Sequence, residues 1–153
     1  MNDKILIKKK LIDECKRILQ EEVYHTKKAM DEAQEEANSH KGAMESRYDT
    51  FKEEAQYKAG AYAKKLIQLN QQLTQLNLMK LELHNEVKLG SIIITPEKKY
   101  FVIGYLSSEP INIDGESFNL ISLSSPLGQK LFNKKAGDIV FLNNKEIKIE
   151  QIF

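Results

Sequence analysis

The side chains best placed for chemistry are three carboxylates, Glu45, Asp49 and Glu53, set four residues apart. On a helix that interval brings all three to one face. Carboxylates so placed can share a hard cation such as Mg²⁺, which takes one or two of them and completes its shell with water and substrate phosphate. A helix surface offers no cavity, so a partner molecule must close the shell. The plainer alternative is a solvated face whose acids pair with Arg47 and Lys52. Other chemistries lack their residues. No two glycines lie close enough to cradle a phosphate, and His25, His40 and His84 are scattered, which favours three solvated histidines over a metal site. Cys15, the single cysteine, excludes an internal disulfide and a paired-cysteine zinc site, and on an apolar helix seam it reads as a small buried thiol. Ser124 and Ser125 have no neighbouring histidine to activate them.

The three carboxylates belong to a wider concentration. Residues 31–54 hold eight acids and three bases, a local charge of −5, within a chain of net charge +1. The basic stripe of a sequence-specific DNA binder is not there. Acids gathered within a few ångströms repel one another, so a mere spacer gains nothing from them and a positive partner is expected. The longest uncharged run is too short for a bilayer, and the opening MNDKILIKKK lacks the apolar core of a signal peptide. A cytoplasmic protein with no membrane partner is expected.

Two kinds of element must position these residues. All three prolines and five of the seven glycines follow residue 88. Before that point Ile12, Cys15, Leu19, Val23, Thr26, Met30, Ala33 and Ala37 step by three or four, and Ala55, Ala59, Tyr62, Leu66, Leu69, Leu73 and Leu76 repeat the pattern. The spacing predicts a coiled-coil seam. Residues 38–42, Asn-Ser-His-Lys-Gly, favour a turn, so 1–88 reads as an antiparallel hairpin of two helices, each roughly 50 Å long. Alanines line the seam near the turn and larger apolar residues line the base, leaving a thin acidic tip.

Residues 89–153 read as a small β domain, which makes the fold class α+β. Strands are predicted at 91–94, 99–105, 118–123, 139–142 and 146–152, with a loop through Pro110 and turns at Asp114-Gly115 and 143–145. Ser124 or Ser125 caps a short helix opening at Pro126. Some 65 residues make a small core, so the domain is expected to pack on the hairpin base through Leu78, Met79, Leu81 and Leu83.

The chain resembles the bacterial Gre transcription elongation factors, in which an antiparallel coiled coil precedes a small FKBP-like antiparallel β domain. SSPLGQKLFNKKAGD, Ser124 to Asp138, is similar to the family's C-terminal signature of Ser-Pro, a following Gly and a Gly-Asp ahead of the last strands. KEEAQYKA, Lys52 to Ala59, is similar to the stretch opening the family's second helix, and MESRYDTFKEEAQY resembles the tip of a Gre-like subgroup of short factors.

The resemblance implies a partner, RNA polymerase, whose secondary channel would admit the hairpin. It implies that Glu45, Asp49 and Glu53 act at the tip in the polymerase active centre, near the nascent RNA 3′ end. Asp49 and Glu53 would share a Mg²⁺ with the polymerase, which hydrolyses its own backtracked RNA; the factor is no enzyme and has no cofactor of its own. Ser124, Ser125, Pro126, Leu127 and Gly128 would shape the docking surface. Glu53 matches the Glu of the family's Asp-x-x-Glu, whereas Thr50 stands at the Asp position with Asp49 beside it. A spacing of four in place of three leaves open a channel-binding inhibitor or an initiation modulator without cleavage. A reading of another class is a peptide-binding chaperone or adaptor with the hairpin as spacer. Prolyl isomerisation is not implied by the fold alone.

Overall fold

The computed structural model describes residues 2–39, 45–104, 106 and 109–153, with the side chains of 37–39, 45–49 and 51 left outside the description. Helix α1 runs Asp3–Ser39 and helix α2 Glu45–Leu78. Asn2 begins α1 as an N-cap, its Oδ1 accepting the Lys4 amide at 2.8 Å while its carbonyl accepts the Leu6 amide at 3.0 Å. The turn expected at 38–42 falls mostly outside the described residues, since 40–44 are not among them.

Two compact units divide the chain. Lys16–Leu78 forms one, and Met1–Cys15 with Met79–Phe153 forms the other, so α1 contributes to both.

In the helical unit the buried positions are Leu19, Thr26 and Ala33 on α1 and Ala55, Leu69 and Leu76 on α2, spaced by seven or multiples of seven. Val23, Met30, Tyr62, Leu66 and Leu73 are half-buried between them. This is the heptad seam the sequence predicts. Lys65 Nζ reaches Glu22 Oε2 across the pair at 3.3 Å. Running antiparallel from that point, Leu19 is level with Leu69 and Ala33 with Ala55 to within a residue. Ala37 lies outside the described side chains.

The other unit holds a five-stranded sheet and a two-stranded one. The strands are β1 (Ile92–Ile94), β2 (Lys99–Val102), β3 (Ile111–Ile113), β4 (Glu116–Ile121), β5 (Ile139–Leu142), β6 (Lys145–Lys148) and β7 (Gln151–Ile152), with the short helix α3 (Pro126–Leu131) between β4 and β5. The order is β3-β4-β2-β1-β7 in one sheet and β5-β6 in the other. Three expectations are corrected. The stretch read as a loop through Pro110 contains β3, which pairs Ile111 with Phe118 across the Asp114-Gly115 turn; φ of 52° and 82° at its centre suits a two-residue hairpin. The single final strand expected over 146–152 is two strands in different sheets. It divides at the buried Ile149, and the Glu150 amide then donates to the Ile94 carbonyl at 2.8 Å. The sheet is mixed, because β2 and β4 pair in parallel with Phe101 opposite Leu120.

The core gathers Val87, Ile93, Tyr100, Val102, Leu131, Val140 and Ile149. Of the four residues expected to support it, Met79 is half-buried with its sulfur beside Gly90, whereas Leu78, Leu81 and Leu83 are 76%, 43% and 48% exposed. Further support within this unit comes from α1. Lys8 Nζ donates to the Glu82 carbonyl at 2.7 Å, Lys10 pairs with Asp114 at 2.7 Å, and Lys4 lies over the Phe153 ring at 5.2 Å. The Val87 amide donates to the Lys134 carbonyl and the Asn133 amide to the Val87 carbonyl, at 2.9 and 3.0 Å, which straps the chain before β1 to the segment after α3. Among the described residues no helix is long and apolar enough to cross a membrane.

Candidate functional site

Six of the eight acids of residues 31–54 have described side chains, and all six are exposed: Asp31, Glu32, Glu35 and Glu36 on α1, Glu53 and Glu54 on α2. They surround the part of the seam where Ala33 and Ala55 are buried, at 5% and 3% exposure. Helix geometry explains the pairing of these features. A buried alanine fixes which way α2 faces, and residues one and two positions before it rotate out to solvent. Glu53 makes no ion pair among the described residues, so its carboxylate is available to a partner. The backbone of α2 is continuous from Glu45, which carries positions 45, 49 and 53 on one helix. The side chains of Glu45 and Asp49 lie outside the described residues, so their distances to Glu53 are not on view. Among the described residues no three His, Cys, Asp or Glu side chains come together as a metal site.

The predicted docking segment is built around one serine. Ser125, with extended φ and ψ of −70° and 158°, is the N-cap of α3; its Oγ accepts the Gly128 amide at 3.0 Å and donates to the Ser122 carbonyl at 2.6 Å. Pro126 opens the helix, where a missing N–H is no loss. Ser124 and Ser122 share a hydroxyl hydrogen bond at 2.7 Å, and the Gln129 side chain donates to the Ser124 carbonyl at 3.1 Å. Gly128 is buried, and a Cβ built there would lie 1.9 Å from the Ser122 oxygen, so no other residue fits. Ser124 and Pro126 are exposed, Leu127 is half-buried, and Ser125 and Gly128 turn inward to hold the loop.

Two features were not singled out from the sequence. The first is a buried polar group within the β-domain unit. Lys8 is 2% exposed, and burial lowers its amine to about 8, with Glu82 opposing the shift and Lys88 adding to it. His84, expected to be solvated, is 7% exposed; burial first, then Lys8 and Lys88, lower its imidazole to about 4 against the pull of Glu82. Lys8 carries no local signal, because its partner Glu82 lies far along the chain, whereas His84 is held by Ser91, seven residues on. Cys15 is buried, as expected, and burial pushes its thiol up to about 12. The second feature is a cavity of about 450 Å³ between the 95–98 turn, Leu127 and the β5–β6 hairpin. Its lining comes from segments far apart in sequence, 95–100, 127 and 142–148, so no local signal marked it.

No family model matches the chain, and no curated protein matches it. Among solved structures it is similar to the crystal structure of GreA factor homolog 1 (Gfh1) of Thermus thermophilus, with 17% identity and a TM-score of 0.37 over 90% of this chain and 94% of that one. A second structure, of the transcription factor Gfh1, is similar at 15% identity and a TM-score of 0.38, over 90% of this chain and 92% of that one.

Proposed function

We propose that the chain regulates transcription by entering the secondary channel of RNA polymerase with its helical hairpin, the β domain docking at the channel rim through the loop that Ser125 holds. The observation that carries this reading is the set of exposed acids around the thin Ala33 and Ala55 packing. A narrow probe with carboxylates at its end suits a channel leading to metal-dependent chemistry. The signature-like run from Ser124 to Asp138 supports the same reading, because its glycine is at a position where only glycine fits.

In this reading Glu53, with Asp49 and Glu45, faces the polymerase active centre. A Mg²⁺ shared there with the polymerase would activate a water for hydrolysis of backtracked RNA, two-metal chemistry for which the polymerase supplies the remaining ligands. The chain is then an accessory to that nuclease activity and no enzyme itself. Thr50, standing where an acid completes the closer pair in Gre factors, favours a second reading in which the hairpin occupies the channel and excludes cleavage.

The test uses purified polymerase halted on a template with backtracked RNA. The factor is expected to shorten the transcript, or under the second reading to protect it from a cleavage factor. Asp49→Ala with Glu53→Ala is expected to abolish shortening while leaving polymerase binding in place. Absence of binding to core polymerase at micromolar concentration overturns both readings.

A further inference from the structure

The 450 Å³ cavity in the β domain has the size of a ligand pocket, and its walls are fixed in advance. One wall is the 95–98 turn, where Thr95 Oγ1 donates to the Lys98 carbonyl at 2.7 Å and accepts the Lys98 amide at 3.1 Å. The other is the β5–β6 hairpin, whose turn residues Asn143 and Asn144 have φ of 52° and 63°, the backbone of a tight two-residue loop. Lys145 and Glu97 join the two walls with an ion pair of 2.5 Å. Inside, the lining is apolar: the Tyr100 ring and the side chains of Leu127, Leu142 and Ile147.

The surroundings say what kind of molecule would enter. Among the described residues strand β6 pairs only with β5, so every second backbone N–H and C=O on its other edge is outside the ladder, and β6 contributes all four of its residues to the cavity lining. An open strand edge beside an apolar pocket is the arrangement that takes an extended peptide, main chain along the edge and one side chain in the pocket. Glu97 is already neutralised by Lys145. Of the other charges on the lining, Lys98 and Lys148 make no ion pair among the described residues and outnumber Glu146.

We infer that this cavity binds an extended segment of another protein, one bulky apolar side chain filling the pocket and flanking carboxylates meeting Lys98 and Lys148. The site is separate from the acidic helix face; it shares Leu127 with the 124–128 loop, but its strand edge and its lysines lie outside that loop, so it does not rest on the polymerase reading.

The experiment is amide NMR of the full chain titrated with three short synthetic peptides in a glycine background, centred on Glu-Phe-Glu, Lys-Phe-Lys and Glu-Ala-Glu, and with a uridine oligonucleotide. The Glu-Phe-Glu peptide is expected to give saturable shifts at Tyr100, Leu127 and Ile147, with each of the other three probes weaker by about ten-fold or more. Lys148→Glu, at an exposed position, is expected to weaken that peptide about five-fold and to strengthen the Lys-Phe-Lys peptide. Should that variant perturb the fold, Lys98→Glu in the exposed turn is expected to do the same. The inference is overturned by no shift up to about 2 mM peptide, by shifts away from the cavity, by equal responses to the three peptides, by tighter binding of the oligonucleotide, or by indifference to both charge reversals.

Discussion

The Nδ1 of His84 lies 2.7 Å from the Oγ of Ser91, and both residues are buried. The Lys88 amide donates to the same Oγ at 2.9 Å, so the imidazole sits inside a closed loop of the chain that leads into β1. Its surroundings are hostile to a proton. Burial, Lys8 and Lys88 hold the ring neutral down to about pH 4, and Glu82, 3.8 Å from Nε2, only partly opposes them. In the unfolded chain the same ring takes its proton at its ordinary value of about 6.5. The unfolded state therefore binds more protons than the native one between those values, and stability is complete above pH 6.5 and falls as pH drops towards 4. At about 1.4 kcal/mol per pKa unit the loss is on the order of 3 kcal/mol. Denaturant unfolding at a series of pH values should show this slope in the wild type and a shallower one in His84→Gln. Equal slopes in the two proteins would remove His84 as its cause.

Lys8 makes the opposite pH window visible. Its amine, buried and donating to the Glu82 carbonyl, gives up its proton at about 8 in the native state and at 10.5 in the unfolded chain. Stability should rise as pH passes from 8 to 10.5, again because the unfolded state holds the extra proton. Lys8→Met keeps the length of the side chain and removes the charge, so it should abolish that rise and cost no more than about 1 kcal/mol at pH 7. Lys8→Glu places a carboxylate in the same buried site and should cost about 4 kcal/mol or more. Unfolding free energies of the three proteins at pH 7 and pH 10 settle both points.

How far the sequence was readable follows from where each constraint comes from. Leu19, Thr26, Ala33, Ala55, Leu69 and Leu76 were legible because a heptad is a local repeat, and one long helix face needs no knowledge of what it meets. The N-cap was legible to one of two serines, Ser124 or Ser125, as a serine ahead of proline carries its own geometry, and the structure gives Ser125. β3 was missed because three residues are too few to establish alternation, although Asp114-Gly115 marked a hairpin that required a strand on each side. The division of 146–152 left one trace: Ile147 and Ile149 alternate, but the next apolar residue is Ile152 and not position 151, a change of phase that a single strand does not make. Lys8 and His84 look like ordinary polar residues in the sequence; Lys8 meets Glu82 seventy-four positions along, and His84 is bonded to Ser91 in the loop leading into β1. Among the predicted site residues, Glu53 is exposed, and Ser125 and Gly128 serve to build the loop that presents Ser124 and Pro126.

Cys15 should be chemically silent while the protein is folded. Only the thiolate reacts with alkylating reagents, and burial, with the carboxylate of Glu14, pushes this thiol up to about 12. At pH 8 the native protein should resist iodoacetamide for hours, whereas the chain in denaturant is modified at the ordinary rate of a free thiol. Rapid modification of the native protein at one equivalent would mean that the helix around Cys15 opens on the same timescale. Lys8→Glu, which loosens α1 about two turns before Cys15, should be modified faster than the wild type.

Three glycines separate steric from conformational demands. At Gly128 a Cβ meets the Ser122 carbonyl oxygen at 1.9 Å and its carbon at 2.8 Å, both of them backbone atoms that cannot swing aside. Gly128→Ala must therefore move α3 or break its cap, and a cost of about 3 kcal/mol or more is expected. At Gly137 there is open space but φ is +91°, so alanine there pays only for the backbone, about 1 kcal/mol. Gly60 is inside α2 with nothing within 4 Å of a Cβ, and alanine should stabilise the helix by about 0.5 to 1 kcal/mol. Thermal unfolding should rank the variants Gly60→Ala above wild type, then Gly137→Ala, then Gly128→Ala. A Gly128→Ala protein as stable as Gly137→Ala would show that the loop after β4 can shift freely, and the close packing of α3 against Ser122 would then not be what fixes the 124–128 segment.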